Sequence, residues 1–237
     1  MTTLLETRDL TMRFGGVLAV DHVSVRITQG ELRCLIGPNG AGKSTFFKCL
    51  TGQYTPSAGQ VFWRGRDVTG APPFAMARLG IGIKTQVPSL FDGLTPMESV
   101  VLAMRRLQGE AASRRRAAAV LAQLGIADLA HAQVGLLAHG QRQLVELAMV
   151  IAPEPDLIIL DEPTAGMTAQ ETRRTAEVIR QLNRDHAIVV VEHDMAFIRA
   201  IARQVTVFHQ GRVLVEDSAE AVFADARVRD VYLGRAA

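Results

Sequence analysis

Cysteine is scarce in this sequence, with two in 237 residues, Cys34 and Cys49. Both fall in runs that read as buried, one before and one after a glycine-rich loop, so free thiols are expected. A disulfide scaffold and a thiolate metal site are excluded, and a reducing compartment fits. Neither Cys-x-x-Cys nor His-Glu-x-x-His spacing occurs. Apolar runs of the roughly eighteen residues a spanning helix needs are also missing. If the chain drives transport, the membrane part must therefore be another chain. Met1 to Asp9 carries two acids and no apolar core, so it does not read as a signal peptide. An excess of one charge is lacking too: 26 Lys and Arg stand against 24 Asp and Glu, a net +2. No nucleic-acid partner is expected on that basis. The arginines at 105, 106, 114, 115 and 116 form a local basic patch, read as a solvated helix face, with anionic lipid as the sharper alternative. There are no repeats, low-complexity linkers or sustained heptads. What remains, 48% apolar and 21% charged residues, is ordinary for a globular chain of one large domain or two small ones.

Residues 37 to 45 read Gly-Pro-Asn-Gly-Ala-Gly-Lys-Ser-Thr. They fit the phosphate-binding pattern G-x-x-x-x-G-K-[ST], with Gly37, Gly42, Lys43 and Ser44 in the required places. Cys34 to Gly37 lead in as a strand end, and a helical run from Ser44 to Leu50 leads out and stops at Thr51-Gly52. The glycines, Gly37, Gly40 and Gly42, with Asn39 and Ala41, let backbone N–H groups crowd around phosphate oxygens. The helix N-terminus adds partial positive charge. Lys43 supplies a point charge for the β- and γ-phosphates, and the Ser44 hydroxyl is placed to ligate Mg²⁺, with Thr45 closing the loop.

Leu157-Ile158-Ile159-Leu160-Asp161-Glu162 reads as a buried parallel strand ending at a functional edge. Asp161 is the natural partner of Mg²⁺ through water, and Glu162 stands where it can polarise a water aimed at the γ-phosphate. Strand signals recur at 188–191 and at 205–208, the latter followed by a turn and Val213-Leu214-Val215, a hairpin. Residues 4 to 30 alternate apolar and polar, Val23 to Ile27 included, as antiparallel strands do, and Val61-Phe62-Trp63 extends the pattern. Trp63 reads as a packing residue. Residues 97 to 151 are rich in Ala, Leu and Arg at helical spacing. Val222-Phe223 and Val231 to Leu233 read as a short closing segment. His22, His131, His186 and His209 read as surface or core fillers.

Leu137-Ala138-His139-Gly140-Gln141 stands at the start of an apolar-periodic helix running to about Ile151. It resembles the signature motif of ATP-binding-cassette (ABC) ATPases, usually Leu-Ser-Gly-Gly-Gln. Other landmarks follow in order: Phe14 at the place of the adenine-stacking aromatic, Gln86 at the Q-loop, Thr164 to Thr168 at the D-loop, and His193 after its strand as the switch histidine. The resemblance implies an α/β P-loop NTPase fold: a parallel-sheet core, an N-terminal antiparallel β-subdomain and an inserted α-helical subdomain. One ABC ATPase domain is expected over 4–234, with the helical subdomain at roughly 88–152.

The resemblance also implies roles. Phe14 stacks on adenine, and Asn39 to Thr45 hold the phosphates. Ser44, Gln86 and Asp161 organise Mg²⁺, Glu162 is the general base, and His193 contacts the γ-phosphate. Two such ATPase subunits, as a homodimer or heterodimer, are expected head to tail, each ATP lying against Leu137 to Gln141 of the other subunit. Two departures stand out there. Ala138 replaces the serine whose hydroxyl donates to the γ-phosphate, and His139 replaces a glycine; His139 is either a replacement donor or a branch feature without phosphate contact. Thr168 stands where an aspartate is common.

Glu31-Leu32-Arg33-Cys34, His139, Ala165-Gly166-Met167-Thr168, Val191 to Met195 and Val231-Tyr232-Leu233-Gly234 resemble the ATP-binding proteins of urea and branched-chain amino-acid importers. That implies membrane permease subunits, an indirectly coupled periplasmic solute-binding protein, and a peripheral position on the cytoplasmic face of the inner membrane. Residues 86 to 97, with Leu90, Phe91 and Leu94 between prolines, are the expected permease contact, a packed core loop being the alternative. Thr85 departs from the aromatic common before the glutamine. At 237 residues, no C-terminal regulatory domain is expected. The rival readings are a lipopolysaccharide-export ATPase and a soluble ABC ATPase without a transport role.

Overall fold

A computed structural model describes residues 2–85 and 90–233 of the chain. The elements run in the order β1 (Thr3–Phe14), β2 (Val17–Val23), β3 (Arg26–Thr28), β4 (Leu32–Ile36), α1 (Lys43–Leu50), β5 (Ala58–Trp63), β6 (Arg66–Asp67), α2 (Pro73–Arg78) and β7 (Ile81–Lys84). Then come α3 (Pro96–Met104), α4 (Glu110–Gln123), α5 (His139–Ile151), β8 (Leu157–Asp161), α6 (Ala169–Leu182), β9 (Ala187–Val191) and α7 (Met195–Ile201). The hairpin β10 (Gln204–His209) and β11 (Arg212–Ser218) leads to α8 (Ala219–Ala224) and α9 (Ala226–Leu233). Short 3₁₀ turns at Ala127–Leu129 and Val134–Leu136 link α4 to α5.

Strands β4, β8 and β9 are buried at every residue. Such uninterrupted Leu, Ile and Val runs belong in a parallel sheet covered on both faces. The six-stranded sheet has the order β11-β10-β4-β9-β8-β7, parallel except for the antiparallel edge strand β11. The period of two sends Ile158, Leu160, Ile188 and Val190 into the core shared with α3, α4 and α5. Their neighbours Leu157, Ile159, Val189 and Val191 enter the other core, with Phe46, Phe47 and the antiparallel layer. In that layer β2, β1, β5 and β6 pair in order, and β3 also pairs with β1. Trp63 is buried there, in a packing role.

The alternating stretch Val23 to Ile27 is divided between β2, which ends at Val23, and β3, which begins at Arg26. The buried Thr7 hydroxyl donates to the Val23 carbonyl at 3.0 Å and accepts from the Val25 N–H at 2.9 Å. A side chain thus takes ladder partners that a neighbouring strand otherwise supplies. The closing segment is helical: residues 219–224 and 226–233 form two short helices, the first capped by Ser218 accepting from the Ala221 N–H.

The parallel order aligns the carboxyl ends of β4, β7, β8 and β9 along one edge, where ligands of open α/β sheets bind. The residues of interest lie there.

Candidate active site

At the end of β4 the chain turns sharply into α1. Gly37 and Gly42 have φ of 149° and 100°, values that L side chains rarely adopt. A Cβ on Gly37 would meet the Phe208 carbonyl, and one on Gly42 the Ala19 carbonyl, so bulk is refused as well. The Lys43 side chain is buried, and its ammonium donates to the carbonyls of Gly37 at 2.6 Å and Pro38 at 3.0 Å. Burial lowers its pKa, opposed by Glu162 and Asp161. Asn39, Gly40 and Ser44 are exposed, and Thr45 is half-buried. Phe14 ends β1 with 43% of its surface open and packs edge-on against Tyr54, ring centres 5.4 Å apart. Tyr54 in turn lies under the Lys48 ammonium of α1.

A row of charged residues follows the strand ends. Asp161 ends β8 and is 4% exposed. Burial and the neighbouring Glu162 push its carboxyl up to about 6, against the pull of Lys48 and Lys84. Its Oδ1 is buried without a hydrogen-bond partner among the described residues. An orphaned hard oxygen of this kind suits Mg²⁺ chemically. Among the described residues no cluster of three His, Cys, Asp or Glu holds a metal by itself, so such an ion needs phosphate oxygens too. Gln86, the third expected ligand, lies outside the described residues.

Glu162 has φ of 45°, a left-handed backbone rarely adopted by a residue with a side chain. It is pinned there by its N–H to the Val191 carbonyl at 2.9 Å. His193 comes within reach, Nδ1 to Glu162 Oε1 being 3.5 Å. A residue the sequence reading left without a role supports both. Glu192, 1% exposed, accepts from the Thr164 hydroxyl at 2.5 Å and N–H at 3.2 Å, and from the His193 N–H at 3.0 Å. It ties the loop after β8 to the loop after β9. An acid directly before the histidine was the visible signal, but its partner, 28 residues away, was not.

The second group is on α5. Ala138 is the N-cap, without a side-chain acceptor, and its own N–H donates to Gln141 Oε1 at 3.0 Å. Leu137 is half-buried, while Ala138 and His139 are exposed. The His139 ring turns inward along its own chain, Nε2 lying 3.0 Å from the Ala165 carbonyl. Of the two readings of His139, the one without phosphate contact has this geometry behind it. Gly140 is buried, and a Cβ there would strike the Glu171 carboxylate. That carboxylate is held below the usual range by the Thr168 N–H and hydroxyl. The unusual Thr168 thus caps α6, accepting in turn from the Glu171 N–H at 3.3 Å.

Of the expected permease contact, Leu90 packs on the core and Phe91 is 64% exposed; Gln86 to Ser89 lie outside the described residues. A groove of about 1100 Å³ opens between α2 and β7 on one side and α3 and α5 on the other, lined by Phe74, Leu102, Leu107 and Met149 with Arg78 and Arg106. Arg105 and Arg115 are exposed, Arg114 pairs with Glu110 and Arg116 with Glu154. The arginine cluster is in large part a solvated, internally paired helix face.

The profile of the ABC transporter family matches residues 20–165. Similarity over full length extends to the high-affinity branched-chain amino acid transport ATP-binding protein LivG of Salmonella typhimurium, 36% identical over 253 residues covering 98% of each chain. The corresponding protein BraF of Pseudomonas aeruginosa is 33% identical over 251 residues, again 98% of each. The lipopolysaccharide export system ATP-binding protein LptB of Acidithiobacillus ferridurans is 32% identical over 236 residues, 99% of this chain and 98% of the relative. Among solved structures, the ADP conformation of the ATP-binding cassette MJ1267 superposes with a TM-score of 0.88 at 25% identity, covering 99% of this chain and 100% of that one. Another is cbiO1 from Clostridium perfringens, with a TM-score of 0.86 at 27% identity over 99% and 96% of the two chains.

Proposed function

Because the chain belongs to the ABC transporter ATPase family, we propose that it powers the uptake of branched-chain amino acids as the ATP-hydrolysing subunit of a multi-chain importer. The ATPase chemistry is that of the family; the solute and direction rest on the full-length similarity to LivG and BraF. One ABC domain over 4–234, with a helical part at roughly 88–152, is the working division.

The observation that carries the hydrolytic reading is the meeting of Glu162 and His193 beside buried Asp161, at the edge where the phosphate loop begins. Phe14 offers its open face to adenine. The backbone of Gly37 to Thr45 cradles the phosphates, and Lys43 exchanges two carbonyls of its own loop for phosphate oxygens. Ser44, Asp161 and Gln86 would hold Mg²⁺. Held by these residues, the ion would supply positive charge to offset that of the phosphates. Glu162 takes a proton from the attacking water, and His193 positions that water and the γ-phosphate. Leu137 to Gln141 of a second subunit complete the site, the N-terminal N–H groups of α5 facing the γ-phosphate. Loss of that phosphate removes the attraction and opens the pair.

Among the described residues no helix is long and apolar enough to cross a membrane. The proposed place is peripheral, on the cytoplasmic face of the inner membrane, with a permease segment seated in the apolar groove and against Phe91. A periplasmic solute-binding protein would act through the permease. Uptake of labelled leucine, isoleucine and valine in a strain lacking the gene tests the reading, with urea in parallel. Restoration of amino-acid uptake by the intact gene and not by Glu162→Gln is expected. Unchanged uptake with an envelope defect would favour the export reading that the likeness to LptB supports.

A further inference from the structure

Two buried charges that this mechanism does not use meet at the base of the groove. Lys84 is the last residue of β7 and 3% exposed; Glu146 is in the middle of α5 and 7% exposed. Lys84 Nζ lies 3.3 Å from Glu146 Oε2. Stability alone does not explain them, because an apolar pair of similar volume commonly does as well as a buried ion pair. Their position does offer a reason. Lys84 pairs in register with Leu160, one residue before Asp161. Burial pushes its ammonium below the usual lysine range, opposed first by Glu146 and then by Asp161 and Glu192. One cation thus lies within the field of the acidic row on the sheet and of a carboxylate on the helix that begins at the signature turn.

We propose that Lys84 and Glu146 are positioning residues that couple the charge at the Asp161 end of the nucleotide site to the orientation of α5. When Asp161 faces no cation, its carboxylate competes with Glu146 for the Lys84 ammonium. When divalent charge is held at Asp161, the ammonium is driven toward Glu146 and the helix is drawn to β7. Such forces are long-ranged where water is excluded. Glu146 is two helical turns from His139, so a tilt about this pair moves the signature turn. Both residues line the groove, so a partner seated there touches the same pair. The inference rests on the nucleotide reading of the site and is independent of the transported solute.

The test uses the full chain with ADP, with and without Mg²⁺, and follows hydrogen exchange of the amides in residues 142–151. ADP lacks the γ-phosphate that closes the subunit pair, so protection by a second copy does not interfere. In the unaltered protein Mg²⁺ should slow this exchange at least about fivefold, the low end of ordinary coupling between sites. Lys84→Met and Glu146→Leu singly should lower the urea midpoint, and the double variant should recover it yet stay deaf to Mg²⁺. Lys84→Arg should retain the response, and Glu146→Gln, the least disruptive change, should lose it while still folding. A double variant, or Glu146→Gln, that responds as the unaltered protein does overturns the proposal and leaves a merely structural pair. Normal ADP binding by calorimetry with no Mg²⁺ effect on the unaltered protein overturns it alone, whereas failure to bind ADP overturns the nucleotide reading as well.

Discussion

At the phosphate loop, Lys43 is buried and held by two carbonyls of its own loop, and Asp161 is buried with one oxygen that has no partner among the described residues. At the signature turn, Ala138 and His139 are exposed, and their hydrogen bonds run to Gln141, Gln143 and Ala165 of the same chain. The first region carries the cost of buried charge before any ligand arrives, which suits the anion and divalent cation of the proposed function. The second has satisfied itself with nearby partners, which the proposed pairing of two subunits would require it to release. Most of the chemical step should depend on the first region, and closure of the pair on the second.

Substitutions can break that contrast. The largest effect is expected from Glu162→Gln, which keeps shape and loses the base; steady-state hydrolysis should fall about 100- to 10,000-fold. ATP binding should survive, and a stable ATP-bound pair should appear on a sizing column. Turnover within twofold of the unaltered protein would remove Glu162 from the base role. Next is Lys43→Ala, which removes a charge-assisted contact of about 1.5–3 kcal/mol. Affinity for a fluorescent ATP analogue should drop by roughly 10- to 100-fold, and unchanged affinity would mean that phosphates bind elsewhere.

Asp161 sharpens the comparison through pH. Its carboxyl is raised from 3.8 to about 6, with burial the first cause. A raised pKa stabilises the fold fully below the unfolded value, and that contribution is lost as pH rises through about 6. The gap, at roughly 1.36 kcal/mol per pH unit, makes the loss at most about 3 kcal/mol. The urea midpoint of the nucleotide-free protein should therefore fall relative to Asp161→Asn between about pH 4 and 7. Parallel profiles would show that this carboxyl is not held neutral by its site.

The smallest effect is expected at the signature turn. Ala138→Ser adds a donor that acts only in the closed pair, and turnover should rise by less than about tenfold, equivalent to 1.4 kcal/mol. His139→Gly should loosen the D-loop contact more than it alters phosphate binding. Both singles and the double, measured at saturating nucleotide with Mg²⁺, form a cycle. A drop on His139→Gly that Ala138→Ser restores would revive the imidazole as a phosphate donor, whereas additivity would confirm its separate role.

The contiguous motifs were readable because a phosphate loop works through backbone and side chains within one turn. Gly37 to Thr45 carry their own geometry, and the apolar runs at 157–160 and 188–191 can be satisfied only inside a parallel sheet. Period two within those strands also distributes Ile158 and Ile159 to opposite cores. Less was readable where partners are distant. Nothing near Thr7 announces that its hydroxyl splits a strand, and nothing near His139 announces the Ala165 carbonyl.

The amino-acid sequence alone determined the strand-loop-helix at Gly37 to Thr45, the acid pair at a strand end and the helix start at His139, since each depends on neighbours a few residues apart. Tertiary structure decided the order of the strands, and with it the alignment of Lys84, Asp161 and Glu192 along one sheet edge. It also decided the meeting of Lys84 with Glu146 and of Glu192 with Thr164. Pairings of that kind depend on register between segments far apart in the chain, and register is set by how two whole faces pack, which no local pattern encodes.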